Sequence, residues 1–229
     1  MKIKKLMKYF SPFEWCLWLS SLFIITIFFC IFDKGGYLTL ISSCIGVTSL
    51  IFAAKGNPVG PLLMILFSIL YGIISYSFSY YGEMITYLGM TMPMSVIALV
   101  AWLKNPYGKS SAEVKVNRIS KKETIFAIFL TALVTVAFYF ILRAFDTANI
   151  IPSTVSVTTS FLAVYLTWRR SPYYALAYAA NDVVLIDLWV LATLEDISYL
   201  SVTVCFAVFL ANDLYGFVSW QKMQKRQEK

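Results

Sequence analysis

Long apolar stretches alternate with short polar ones along the whole chain, and this pattern predicts membrane-spanning helices. Each apolar stretch has roughly the 17–25 residues that a helix needs to cross about 30 Å of hydrocarbon. The shorter, alternating segments of a closed β-barrel are absent, so helices must satisfy the backbone hydrogen bonds. We therefore predict an all-α polytopic membrane protein with eight transmembrane helices. The segments are 14–32, 36–54, 59–81, 84–103, 123–143, 152–168, 172–194 and 197–220.

The basic residues are distributed unevenly between the polar stretches. Of the 19 Lys and Arg residues, 17 lie before the first segment or after the second, fourth, sixth and eighth. The two in the other gaps, Lys34 and Arg143, each have an acid nearby. By the positive-inside rule, this predicts that both termini are cytoplasmic. It also predicts that Lys104–Lys122 is a solvated loop beside anionic lipid.

Composition agrees with a membrane protein. Hydrophobic residues make up 59% of the chain, charged residues 14%, and the mean hydropathy is +0.73. The net charge of +7 reflects topology, because the basic residues are spread over five separate stretches; nucleic-acid binding is not indicated. The basic start and first apolar segment resemble a signal peptide. Trp15, Trp18 and the lack of a small-x-small exit favour a retained first helix.

The order of segments suggests two parallel three-helix repeats joined by a linker helix. Short similar sequences occur at corresponding places in the two repeats. A unit of three transmembrane helices ends on the opposite side of the membrane from where it starts, so one linking helix is needed before the unit can repeat in the same orientation. Parallel repeats are a transporter architecture, with substrate bound between the copies near the midplane. The similar sequences are Asn57-Pro58 with Ser171-Pro172, Glu83–Leu88 with Glu195–Leu200, and Trp102 with Trp220. The predicted division is 1–35 (basic tail and extra helix), 36–104 (first repeat), 105–151 (cytoplasmic loop and linker helix), 152–222 (second repeat) and 223–229 (basic tail).

Six segments carry polar or aromatic side chains at helical spacing, whereas 123–143 is almost purely apolar, as a lipid-facing linker would be. Serine, threonine and glycine at such positions are most simply packing residues. Asparagine amides need hydrogen-bond partners, so packing and ligand binding remain open for them. The candidate substrate-binding residues are Tyr71, Thr91, Tyr174, Tyr178, Asn181, Asp182, Trp189, Asn212, Asp213 and Tyr215.

Three acids, Asp182, Asp187 and Asp213, lie within the predicted helices. A charge at a helix centre costs about 2.5–3.5 kcal/mol on insertion scales, so such residues face the bundle interior and usually serve a site. Asp187 points about 140° away from Asp182 on a standard helix, which suggests helix packing or an oligomer contact. Without an embedded Lys or Arg as partner, the acids are either protonated or bound to a hydroxyl-rich ligand.

Catalysis is not indicated. The chain has no His, which removes the commonest general base and metal ligand, and it has no Gly-rich phosphate loop. The four Cys residues lie in apolar segments without paired spacing, so we predict neither disulfide nor metal, and no cofactor. Binding and movement of a solute fit these features better than chemistry on it.

Five stretches of the sequence carry a resemblance to a known family: Asn181–Trp189, Asn212–Trp220, Asn57 with Gly60, Tyr71-Gly72 and Ala101-Trp102. They resemble the Pnu vitamin-transporter family, specifically PnuC-type nicotinamide riboside transporters. The resemblance covers roughly 36–222 and implies a SWEET-like fold of three plus one plus three helices with an extra N-terminal helix. It also implies a homotrimer in the bacterial inner membrane that moves the NAD precursor by facilitated diffusion.

The family's seventh-helix site has two tryptophans a turn apart, followed by asparagine. The matching residues here are Tyr174, Ala177 and Asn181, and Tyr178 is a candidate for the missing ring. The resemblance therefore implies uptake of nicotinamide riboside (vitamin B3), with tyrosine and Trp189 rings stacked on the pyridinium. Two alternatives stay open: a proton-coupled or uniport carrier of another vitamin or nucleoside, such as thiamine or riboflavin, and a non-transporting accessory protein.

Overall fold

A computed structural model describes residues 9–33, 36–77, 80–108, 112–147 and 149–229. Within these ranges, eight helices are long and apolar enough to cross a membrane, which confirms the predicted all-α class. Lys2, Lys4, Lys5, Lys8, Lys34 and Lys109, all used in the charge argument above, lie outside the described residues. The helices are α1 Pro12–Phe32, α2 Tyr37–Ala54, α3 Val59–Ser77, α4 Tyr81–Leu103, α5 Lys121–Ala144, α6 Ile150–Trp168, α7 Tyr174–Glu195 and α8 Ile197–Gln227.

The helix bounds differ from the predicted segments at two places. Helix α3 ends at Ser77, and α4 begins at Tyr81, so the chain reverses inside an apolar run that predicted one segment as far as residue 81. Helix α8 continues to Gln227, seven residues beyond its apolar segment. Hydropathy marks the part of a helix that is compatible with hydrocarbon, whereas lysine, arginine and glutamine continue a helix readily into water.

The six helices α2–α4 and α6–α8 form two groups that pack against each other. The groups are joined twice, because α8 packs against α2 and α4 packs against α6. Helix α1 packs against both α2 and α8, while α5 packs against α6. In their apolar spans, only 17% of α1 and α5 residues are buried, against 50–56% in α2, α3, α6, α7 and α8. Helices α1 and α5 therefore lie at the periphery, as expected for a lipid-facing linker helix.

The turns that end α2 and α6 have the same backbone structure at positions 114 residues apart. Gly56 and Arg170 both have positive φ, at +64° and +56°. Asn57 and Ser171 each donate a backbone hydrogen bond to the carbonyl five residues earlier, at 3.0 and 2.9 Å. This correspondence supports the predicted repeat, although the boundaries drawn for it stay a prediction.

Two tryptophans join the groups reciprocally. The indole of Trp102, in the last turn of α4, donates to the carbonyl of Thr167 in α6 at 2.8 Å. The indole of Trp220 in α8 donates to the carbonyl of Ala53 in α2, also at 2.8 Å. Ala53 and Thr167 occupy corresponding positions before the two similar turns. The third helix of each group therefore bonds to the first helix of the other.

The described part of the loop between α4 and α5 is mostly exposed, as expected for a solvated loop, but Val114 anchors it to the end of the bundle. Val114 is fully buried, and its amide donates to the Gly56 carbonyl at 2.9 Å. The Val116 amide donates to Oε1 of Gln227 at 2.8 Å, which ties the loop to the last turn of α8. We call this end of the molecule, where α2, α4, α6 and α8 finish and α5 begins, the basic end.

Replacing Trp102 with Phe tests the reciprocal bonds. The ring remains large and apolar, but the hydrogen bond to the Thr167 carbonyl is lost, so we expect about 1 kcal/mol of destabilisation. This corresponds to a melting temperature lower by about 2–4 °C for a chain of this size. Trp15→Phe is a control for the exchange of rings without a hydrogen bond, because none is described for the half-buried Trp15 indole; the void left at the fully buried Trp102 adds to the loss there. Equal melting temperatures for the two variants would contradict the role of the bond.

Candidate substrate-binding site

The candidate residues on α7 are spread along the helix rather than gathered around one point. Tyr174 and Trp189 are fifteen residues apart, which is about 22 Å along the helix axis. Asn181 and Asp182 lie between them. The structure therefore does not bring Trp189 to the rings of Tyr174 and Tyr178, with which it was expected to stack on one ligand.

An inner aromatic cluster lies at the basic end of the bundle and consists of Trp102, Tyr174, Tyr178 and Trp220. Ring centroids of Tyr174 and Trp220 are 4.8 Å apart, and those of Trp102 and Trp220 are 5.4 Å apart. Tyr174 begins α7 immediately after the turn at Ser171-Pro172, so the local chain reversal places its ring under α8. The two groups of helices are thereby closed against each other on this side.

An outer aromatic cluster lies at the opposite end and consists of Tyr71, Tyr80, Tyr87 and Trp189. The Trp189 indole donates to the Tyr71 hydroxyl at 2.8 Å. Tyr71 and Tyr87 have ring centroids 4.4 Å apart, and those of Tyr80 and Trp189 are 4.9 Å apart. The predicted residues Tyr71 and Trp189 are thus brought together, with one contributed by each group of helices.

Asn181 lies between the clusters and is held by a row of hydroxyl groups on α6. Its Oδ1 accepts hydrogen bonds from Thr159 at 2.8 Å, Ser160 at 2.9 Å and Ser156 at 3.4 Å. The two closest donors can occupy both lone pairs of the carbonyl oxygen, which fixes the amide plane. The amide NH2 makes no hydrogen bond with the described residues, so it is free to donate to a ligand carbonyl or hydroxyl.

Asp182 and Asp213 face each other across α7 and α8. Each is only 3% exposed, and their carboxyl groups are within hydrogen-bonding reach of one another. Asp182 Oδ2 has no hydrogen-bond partner among the described residues. Tyr178 lies beside both carboxyls. Two like charges in contact are unfavourable in a low-dielectric interior unless a proton or a cation compensates them.

Helix α4 contributes Glu83, a residue that the sequence analysis left outside the membrane. Glu83 is 3% exposed, and neither carboxylate oxygen has a hydrogen bond among the described residues, although the Ser156 hydroxyl lies near it. Tyr87 lies between Glu83 and Asp182. The signal that could have identified Glu83 is its spacing, because Glu83, Tyr87 and Thr91 follow each other at four-residue intervals on one helix face.

Thr91 is buried, and its hydroxyl has no partner among the described residues. It ends a π-helical turn, Tyr87–Thr91, in the middle of α4. Pro93 follows and lacks an N–H group, so the normal hydrogen bond to the carbonyl of Gly89 cannot form, and the turn widens. The widened turn aims Tyr87 and Thr91 into the space between the two groups of helices.

Asn212 and Tyr215 point towards the N-terminal helix rather than towards the acidic pair. The Asn212 amide donates to Ser21 Oγ at 3.0 Å, and the Tyr215 hydroxyl donates to Glu14 Oε1 at 2.8 Å. They therefore connect α8 to α1, and only Asp213 of the three α8 candidates joins the central layer. Asp187 is exposed on α7, which agrees with its expected position away from Asp182.

The buried charges of the described chain are all acidic. They are Glu14, which pairs with Lys55, and the central residues Glu83, Asp182 and Asp213, for which no ion pair is described. Small cavities of about 10 and 20 Å³ border the outer and inner clusters, with room for one water molecule at most. The arrangement is a polar, acidic layer closed off on both sides by aromatic rings.

Comparison with known proteins identifies the family of this chain. A family model described as "Nicotinamide mononucleotide transporter" matches residues 36–222, which covers both groups of helices and the candidate site. The chain belongs to this family. The Pnu resemblance found from the sequence is thereby confirmed, and membership in a transporter family points away from an enzyme.

Individual relatives agree over nearly the whole chain. A nicotinamide riboside transporter PnuC of Neisseria mucosa is 24% identical over 201 residues, 86% of this chain and 76% of the relative. One of Haemophilus influenzae is 23% identical over 217 residues, 94% of this chain and 92% of the relative. A crystal structure of the vitamin B3 transporter PnuC superposes with a TM-score of 0.84 at 23% identity, covering 95% and 94% of the two chains. The fold is therefore the same.

Replacing Asp182 with Asn separates stability from binding. The amide can donate to the Asp213 carboxylate, which removes the like-charge contact, so we expect an unchanged or higher melting temperature. Substrate affinity should fall about 10–100-fold, the usual effect of losing a charge-assisted contact. Asp187→Asn, the same change at an exposed position of the same helix, is the control and should leave both quantities unchanged. A stable Asp182→Asn variant with wild-type affinity would remove Asp182 from the site.

Proposed function

We propose that the protein takes up nicotinamide riboside across the bacterial inner membrane, with the ligand bound in the acidic layer between the aromatic clusters. The observation that carries the proposal is the buried set Asn181, Asp182 and Asp213, which combines a free amide donor with carboxyls that lack a cationic partner. A ligand with a cationic aromatic ring, a carboxamide and ribose hydroxyls would satisfy each of these groups.

Each part of the riboside has a chemical counterpart in the layer. The pyridinium charge would compensate the Asp182–Asp213 pair, and the faces of Tyr178 or Tyr87 offer cation–π contacts of about 0.5–2 kcal/mol. The Asn181 NH2 group suits the oxygen of the carboxamide. The Thr91 hydroxyl would form a hydrogen bond with a ribose hydroxyl, and the Glu83 carboxylate would accept one from another, since the polar atoms of both residues lack partners among the described residues.

The same charges argue against the phosphorylated mononucleotide, which the family's description names. A phosphate monoester carries nearly two negative charges at neutral pH and is normally bound by Arg, Lys or a helix N-terminus. The buried charged residues described in this chain are carboxylates. The names of the two relatives, both riboside transporters, support the same choice.

Transport would proceed by facilitated diffusion. The reciprocal bonds of Trp102 and Trp220 close the basic end, while the bond from Trp189 to Tyr71 closes the other. Breaking one set while keeping the other would open the acidic layer to one side at a time, through rocking of the two groups of helices. If Asp182 and Asp213 share one proton that stays with the protein, the single positive charge of the ligand balances the remaining negative charge, and no accompanying ion has to be transported.

We further propose that both termini are cytoplasmic and that the chain forms a homotrimer. The charge distribution along the sequence supports the orientation. The resemblance to PnuC-type transporters supports the trimer. Accessibility of single cysteines at the two ends of α8 to a membrane-impermeant thiol reagent tests the first, and mass measurement of the detergent-solubilised protein tests the second.

Uptake into proteoliposomes tests the substrate. Riboside should enter until it is equilibrated, at a rate that does not change when a pH gradient is imposed or abolished. The mononucleotide, thiamine and riboflavin should neither enter nor compete. A strict requirement for a pH gradient would favour a proton-coupled carrier. Uptake of thiamine or riboflavin alone would identify that vitamin as the substrate instead of the riboside. Absence of uptake and binding for all four compounds would favour an accessory protein.

Asn181→Ala tests the amide directly. Its loss removes one hydrogen bond to the ligand, so we expect the dissociation constant measured by calorimetry to rise about 3–10-fold. The fold should survive, because the single hydroxyl proton of Thr159 can be donated to the Val155 or Ser156 carbonyl of α6 once the Asn181 amide is gone. Asn212→Ala is the comparison, since the Asn212 amide donates to Ser21 and should affect stability more than affinity. Unchanged riboside affinity in a folded Asn181→Ala protein would contradict the proposed site.

A further inference from the structure

The basic end contains two junctions where the groups of helices meet, and both are rich in cations. At the first junction α2 ends against α8 through the bond from Trp220 to Ala53, and at the second α4 ends against α6 through the bond from Trp102 to Thr167. Basic residues occupy corresponding places beside each bond. They are Lys55 and Lys222 at the first junction, and Arg169 and Lys104 at the second. Lys55 and Arg169 are 114 residues apart, which is the spacing of the two turns, and Lys104 and Lys222 are 118 residues apart, which is the spacing of the two tryptophans.

At the first junction, carboxylates of the protein pair with Lys55 and Arg226, while no ion pair is described for Lys222. Helix α1 packs against both α2 and α8 and so lies along this junction. Its Glu14 forms an ion pair with Lys55 at 3.1 Å. Glu113, from the loop before α5, forms an ion pair with Arg226. A helix and two carboxylates of the protein itself therefore lie at this junction, beside a pocket of about 190 Å³ that is bordered by Lys55, Lys222 and Arg226.

The second junction has similar cations but an open surface. A groove of about 430 Å³ lies between α4 and the end of α6. On its α4 side, Val96, Ile97 and Val100 are 42–45% exposed. Helix α5 packs against α6 and provides one carboxylate, Glu123, which pairs with Arg169.

Two cations of the groove are left without a carboxylate in the described chain. Lys104 is exposed and forms none of the described ion pairs. Arg170 donates only to the Lys115 carbonyl, at 3.4 Å. With Arg169 neutralised by Glu123, the groove carries two uncompensated positive charges.

The cations of the groove lie at the basic end, and its apolar side chains lie further into the apolar span of α4. Lys104 follows the last turn of α4, and Val100 and Ile97 lie about 6 and 10 Å further along the helix, into the apolar span. Cations at the edge of the hydrocarbon with an apolar channel below them match an amphiphile whose anionic headgroup lies at the surface. A soluble anion would leave the apolar part empty.

We propose that this groove binds an anionic phospholipid, with its phosphate on Lys104 and Arg170 and its acyl chains along Val96, Ile97 and Val100. The phosphate would contact the two cations that have no carboxylate, because Glu123 already pairs with Arg169 as Glu14 pairs with Lys55 at the first junction. Basic pockets between helices at a membrane surface are a common form of lipid headgroup site. The inference goes beyond the proposed function, because it holds whichever solute the acidic layer binds.

Lipid binding to the full-length protein, counted by native mass spectrometry in detergent, tests the proposal. We expect phosphatidylglycerol to bind about 25-fold more tightly than phosphatidylcholine, because the two uncompensated cations are each worth about a fivefold change in affinity. Lys104→Gln should reduce that preference about fivefold, and Lys104→Gln combined with Arg170→Gln should abolish it. The single variant changes only an exposed side chain, so it does not depend on the structural bond of Arg170.

Lys121→Gln combined with Lys122→Gln is the matched control, because it removes two charges from the same end of the molecule outside the groove. A retained preference in this control, with loss in the groove variants, supports the proposal. Equal binding of the two lipids, or equal loss in the control, overturns it. Complete displacement of phosphatidylglycerol by inorganic phosphate would identify a site for soluble anions instead. A change of oligomeric state in Lys104→Gln would identify a contact between copies.

Discussion

Hydrocarbon offers no hydrogen-bond partners, and this constraint shapes every part of the molecule. Helices satisfy most of the backbone internally, but the carbonyls of the last turn of each helix have no partner within it. The carbonyls of Ala53 and Thr167 accept from the backbone amides of Gly56 and Arg170 in the following turns. They also accept from the indoles of Trp220 and Trp102, each from the opposite group of helices, and these two indole bonds hold the halves of the molecule together at the basic end.

Some of the exceptions to this rule lie where a ligand would bind. Among the described residues, Thr91 and Asp182 lie between the inner and outer aromatic clusters, Glu83 lies one helical turn beyond Tyr87, and each has a buried polar atom without a partner. The other such residues are Ser42, Ser75, Thr147 and Asn212. An unsatisfied buried polar group costs about 1–3 kcal/mol, so a closed and empty protein is held above its lowest attainable free energy. A cationic ligand with amide and hydroxyl groups lowers that free energy by supplying the missing partners, which connects binding with closure.

The peripheral helices have unequal roles at the two junctions. Helix α1 reaches into the bundle, where Ser21 and Glu14 meet Asn212 and Tyr215 of α8. Helix α5 contacts α6 and leaves the α4 surface open. The two groups of helices are similar in backbone, but their surroundings differ. In the closed molecule, an additional helix stabilises one junction, and the bilayer is left to cover the other.

The number of helices, their class and the polar faces of α4 and α7 could all be predicted from the sequence, because hydrophobic length and helical spacing are local properties. Glu83 was missed because the apolar segment was drawn from residue 84, although the helix begins at Tyr81. Only the tertiary structure decided that Trp189 donates to Tyr71, that Asn212 donates to Ser21 of α1, and that Asp182 faces Asp213. These contacts depend on which helix lies beside which and at what rotation, and no local pattern in the chain specifies that.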